Sequence, residues 1–68
     1  MCQMSVVMER DGGQEKLMEA VARLVVSAEG VTISALFESP QLIPGVMVKE
    51  IDFLDGVVVL EELANLPK

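Results

Sequence analysis

Residues 46–60 read Val46-Met47-Val48-Lys49-Glu50-Ile51-Asp52-Phe53-Leu54-Asp55-Gly56-Val57-Val58-Val59-Leu60. Asp-Gly between two β-rich runs is a strong hairpin signal, because both residues tolerate the positive φ of a tight turn. In the first run, Val46, Val48, Glu50 and Asp52 fall on one face and Met47, Lys49, Ile51 and Phe53 on the other. Neither face is cleanly apolar, which predicts a bend or bulge. The second run pairs back on the first.

The same grammar extends towards the N-terminus. Asp11-Gly12-Gly13, Glu29-Gly30, Ser39-Pro40 and Pro44-Gly45 read as further turns. Residues 4–9 read as a first strand. Residues 24–28 and 31–37 read as a hairpin over Glu29-Gly30, with Val31, Ile33 and Ala35 alternating against Thr32 and Ser34. Residues 39–45 read as the longest loop, stiffened by Pro40 and Pro44.

Residues 14–24 are ambiguous. Leu17, Val21 and Leu24 keep a helical spacing among good helix formers. The competing reading is a strand that bends around Ala20. It is preferred here, since five or six short strands with tight turns suit a small barrel. The expected fold is one all-β domain over residues 1–68, a small, mostly antiparallel β-barrel of five to seven short strands, SH3-like or Sm-like in scale. Alternation places Val6, Met8, Leu24, Val26, Val31, Ile33, Val48, Ile51, Phe53, Val58 and Leu60 in its core.

A core of this size is thin. Below about 70–80 residues, one hydrophobic core rarely supplies more than a few kcal/mol, and natural chains add a disulfide, a metal or a partner subunit. The single Cys excludes an internal disulfide. Apolar residues make up 51% of the chain, more than so small a body can hide. A homodimer is therefore expected.

Charge and composition narrow the function. Five Lys and Arg stand against eleven Asp and Glu, a net charge of −6. The basic residues Arg10, Lys16, Arg23, Lys49 and Lys68 are scattered, whereas nucleic-acid binding rests on clustered cations. Phe37 and Phe53 are the only aromatics available for base stacking. No apolar run approaches the 18–20 or so residues of a membrane span. No secretory signal opens the chain, so the expected compartment is the cytoplasm, where thiols stay reduced. There is no His, no phosphate-cradling loop and no CxxC. An enzyme is not expected, and Glu61-Glu62 reads as a solvated strand end.

Cys2 is the chemical exception. A free Cys is often only a small buried hydrophobe. At position 2, however, a thiolate stands beside backbone nitrogen donors. If Met1 is removed, the α-amine and thiolate of Cys2 close a five-membered chelate. If Met1 stays, its amine, the Cys2 amide nitrogen and the thiolate form two fused rings. Such donors favour a square-planar Ni(II) or Cu(II) ion. One chain has too few donors for a closed site, whereas two N-termini together would supply two thiolates. Met4 and Met8 could be soft ligands, but they share a strand face with Val6, and core packing is their commoner role. Glu9, Asp11 and Glu15 could attract a cation and are more often surface charge.

The opening Met-Cys-Gln-Met-Ser-Val-Val-Met-Glu resembles the start of the CooT family of small nickel-binding proteins. So do residues 31–38, residues 44–54 and the closing Val57-Val58-Val59-Leu60-Glu61. The likeness runs in order along nearly the whole chain. It implies a homodimeric accessory protein that holds or delivers Ni(II) for carbon monoxide dehydrogenase, with Cys2 as the nickel ligand. Two alternatives stand beside it: a β-barrel docking module indifferent to metal, and an RNA-binding barrel, which the acidic charge disfavours.

Overall fold

The structure is a computed structural model, and it describes residues 4–63. Six strands form one sheet: β1 (Met4–Arg10), β2 (Gly13–Ser27), β3 (Gly30–Ala35), β4 (Gln41–Pro44), β5 (Val46–Asp52) and β6 (Val57–Glu62). Their order is β4-β3-β2-β1-β6-β5. Every pairing is antiparallel except β1 with β6. No α-helix occurs among the described residues. The chain is therefore all-β and mostly antiparallel, with a strand number inside the expected range.

The expected barrel is corrected in one respect: strand pairing does not close it. β4 and β5 are the two edges of the hydrogen-bonded order, yet only Gly45 separates them in the chain. The sheet must therefore roll until its edges meet at that residue. Gly45 N–H donates to Glu29 O at 3.1 Å, and Leu63 N–H donates to Gly45 O at 2.9 Å. One residue thus ties the β2–β3 turn to the end of β6. Its φ of +70° suits glycine. The β4 edge is bracketed by Pro40 and Pro44, which carry no N–H. The β5 edge is broken between Val48 and Glu50, the irregularity expected from the imperfect alternation.

The ambiguous segment is a strand. β2 runs through residues 13–27 and bends at Ala20, whose φ of +57° is rare outside glycine. Its first half pairs with β1 and its second with β3, and Val21 pairs with both Met4 and Ala35. A helix could not supply two sheet partners in this way. The Asp11-Gly12 turn has φ of +54° and +81°, and Arg10 pairs with Gly13, the form of a two-residue hairpin with positive φ at both positions.

Three turn boundaries differ from expectation. Ser27 pairs with Gly30, so the β2–β3 turn residues are Ala28 and Glu29. Gly30 instead lies inside the ladder against Pro44. Asp52 pairs with Val57, which makes residues 53–56 a four-residue loop. Asp52 holds it, accepting from Asp55 N–H at Oδ1 (2.9 Å) and from Gly56 N–H at its carbonyl (2.8 Å). The expected long loop over residues 39–45 contains strand β4, because Gln41, Leu42 and Ile43 pair with β3.

The core holds Val6, Met8, Val21, Val31, Ile33, Val46, Val58 and Leu60, with Leu24 and Val48 packed against it. Val26, Ile51 and Phe53 were also expected there and are exposed. Val26 lies past Val21, where β2 keeps a partner on one side only. Ile51 closes an edge strand after the bulge. Phe53 belongs to the loop and has no strand face. Val7 and Val59 are also buried, outside that cluster. They pair in the parallel β1–β6 ladder at the middle of the sheet, where both faces are covered.

Candidate metal centre at the start of β1

Cys2, the one expected metal ligand, lies outside the described residues. It precedes Met4 by two positions, and Met4 begins β1. The surroundings of that strand start are well defined. Ser5 pairs with Val57, and its N–H donates to Gly56 O at 2.8 Å. This ties the strand start to the 53–56 loop. On the other side Met4 pairs with Val21, which pairs with Ala35 at the end of β3. The 36–40 loop follows directly. The start of β1 therefore adjoins the 53–56 loop directly and has β2 between it and the 36–40 loop.

Both loops are apolar and open. Phe37 is 97% exposed, Phe53 80% and Leu54 95%. These are the only two Phe residues of the chain, and neither serves its core. Phe37 also holds a φ of +66°, a conformation that costs an L-residue on the order of 1–2 kcal/mol. The sequence pattern places Phe53 inside, ends a strand at Phe37 and gives Leu54 no role. The available signal was their position beside Pro40 and beside Asp55-Gly56, in turns whose side chains have no inner face.

The other candidate ligands are otherwise engaged. Met8 is buried in the core and Met4 packs against it. Glu9 takes the Lys49 ammonium, and Glu15 takes Arg10 at 3.5 Å. Glu62 also accepts from Arg10, at 3.1 Å. Asp11 stands exposed at its turn. Among the described residues, no group of three or more His, Cys, Asp or Glu side chains could hold a metal ion.

No described helix is long and apolar enough to cross a membrane. Of the four described cations, Arg10, Lys16 and Lys49 are each paired with carboxylates, which leaves Arg23 alone and no cluster of unpaired basic charge.

Comparison with known proteins follows from this fold. A crystal structure assigned to CooT from Carboxydothermus hydrogenoformans superposes with a TM-score of 0.79 at 23% identity, covering 90% of this chain and 97% of that one. That likeness establishes the shared fold. No curated protein sequence matches the chain. The model of the family described as CO dehydrogenase accessory protein CooT matches residues 1–61. The chain thus belongs to the CooT family of CO dehydrogenase accessory proteins, a family of helpers rather than catalysts.

Proposed function

We propose that this chain is a cytoplasmic nickel carrier that serves carbon monoxide dehydrogenase, binding Ni(II) through Cys2 as a homodimer. The observation that carries the reading is the strand start itself. The only thiol of the chain lies two residues before a strand start tied to an exposed apolar loop, with a second such loop one strand further along the sheet. The cargo suits the donors: thiolate with amine or amide nitrogen favours a square-planar ion. Family membership supports an enzyme client.

Two arguments support a second chain. One N-terminus leaves the ion short of donors, and two complete it. Leu36, Phe37, Phe53 and Leu54 together offer on the order of 600 Å² of apolar side-chain surface. Doubled across a two-fold contact, that is about 1,200 Å², the lower end of a specific interface.

The test is a nickel titration of the metal-free protein, followed by absorbance and native mass, with Cys2→Ser in parallel. A thiolate-to-nickel charge-transfer band in the wild type, absent from Cys2→Ser, is expected. The native mass should show one ion held by two chains. A band that survives Cys2→Ser sinks the thiolate role. A monomer with one ion sinks the shared site. The exposed Phe37 and Phe53 also fit a metal-indifferent docking module, and that reading takes over if no nickel binds.

A further inference from the structure

The outer face of β2–β3–β4, opposite the core, carries a groove of about 260 Å³ lined by Arg23, Val25, Thr32, Ser34 and Pro40. Its construction follows from the register. Arg23 pairs with Ser34 and Val25 with Thr32, while Thr32 pairs with Leu42 on β4. Short hydroxyl side chains on the middle strand make the floor. Arg23 and Val25 form one wall and Pro40 the other, with Leu42 beside Thr32 on the neighbouring strand. Leu42 and Val25 are 45% and 41% exposed.

The polar groups of this groove are idle. Arg10, Lys16 and Lys49 are ion-paired, whereas Arg23 takes no carboxylate among the described residues. The Thr32 and Ser34 hydroxyls likewise make no side-chain hydrogen bond there. An unspent guanidinium in a chain of charge −6 is the one described cation free to receive an anion.

We infer that this groove receives a single carboxylate side chain, flanked by an aliphatic residue, from a protein partner. One guanidinium balances one carboxylate and can grip it with two parallel hydrogen bonds. A dianion such as a phosphate would leave a charge uncompensated in the field of an acidic chain. The two hydroxyls can donate to the same carboxylate, and Val25, Pro40 and Leu42 suit the neighbouring hydrocarbon. Pockets that enclose small molecules run to about 300–1,000 Å³. This groove is smaller and open to solvent, which suits one side chain of a larger body.

The experiment uses the ¹⁵N-labelled full chain and three probes: acetyl-Val-Glu-Val-amide, acetyl-Val-Gln-Val-amide and butyrate. The Glu peptide should shift the Arg23 Nε–H and the Thr32 and Ser34 amides saturably. The Gln peptide and the Arg23→Gln protein should each weaken binding about tenfold or more, with the remaining spectrum unchanged. Three results would overturn the inference: no saturable shift, equal binding of the Gln peptide, or undiminished binding to Arg23→Gln. Butyrate binding as tightly as the Glu peptide would also overturn it, by marking a site for free acids. Nickel is absent from every arm, so the outcome is independent of Cys2.

Discussion

Glu9 on β1 and Lys49 on β5 form an ion pair that reaches across β6, the strand between them. The hydrogen bond that Lys49 donates to Glu9 raises the Lys49 pKa above its ordinary value, opposed by desolvation and helped by the charges of Glu9, Glu61 and Glu50. A raised lysine contributes stability that is complete below its unfolded pKa and is lost as pH climbs through the folded value. The loss therefore falls above about pH 10.5. In Glu9→Gln the Lys49 ammonium should titrate lower, as read by NMR of its side-chain nitrogen. An unchanged titration would mean the pair does not persist in solution.

Two glycines should respond very differently to the same substitution. A Cβ on Gly30 would stand 2.2 Å from Ile43 O and 2.9 Å from the Pro44 Cα, both backbone atoms. Gly30→Ala should cost about 2 kcal/mol or more, or detach β4 from β3. A Cβ on Gly45 would meet nothing within 4 Å. Gly45→Ala should cost only the strain of its positive φ, about 1 kcal/mol. Denaturant melts of the two variants would separate steric collision from conformational strain. Equal losses would contradict the packing described at Gly30.

Ala20 predicts a gain. Its φ of +57° bends β2 where the strand passes from β1 to β3. Ala20→Gly should remove strain of about 1 kcal/mol, partly offset by the greater freedom of the unfolded chain. A small rise in chemical midpoint is expected. A fall of more than 1 kcal/mol would show that the methyl group packs usefully.

Phe37 separates function from folding. Its ring is 97% exposed and its φ is positive, so it adds nothing to the monomer core. Phe37→Gly should leave monomer stability equal or slightly higher. If the two-chain contact is right, it should also weaken dimerisation at least tenfold by analytical ultracentrifugation. Glu38 and Asp55 lie exposed in the same loops. Like charges then face each other across the contact, and added salt should tighten the dimer by screening them. A dimer loosened by salt would place the interface elsewhere.

The sequence revealed local structure well and long-range structure poorly. Asp11-Gly12 announced its hairpin, and the uneven faces of residues 46–53 announced their bulge, because both depend on neighbouring residues alone. Phe53 was misplaced by carrying alternation one residue beyond the strand. Val7 and Val59 were missed although Val6-Val7-Met8 and Val57-Val58-Val59-Leu60 are unbroken apolar runs, the mark of strands covered on both faces. The proposed chemistry of Cys2 rests on its position in the sequence alone, since Cys2 lies outside the described residues. The neighbours of the β1 start could not be read, because the 53–56 loop lies beside Ser5 only through the β1–β6 pairing. No local pattern encodes a pairing between strands some fifty residues apart.

The prolines at the ends of β4 have a consequence for the chain in a crowded cell. A strand with one open side is a template on which a stranger's backbone can polymerise. Pro40 and Pro44 leave such a template only three pairing residues long, and the kinked β5 spoils the opposite side. A chain with 51% apolar residues can therefore wear its greasy loops openly and still resist growing into fibres.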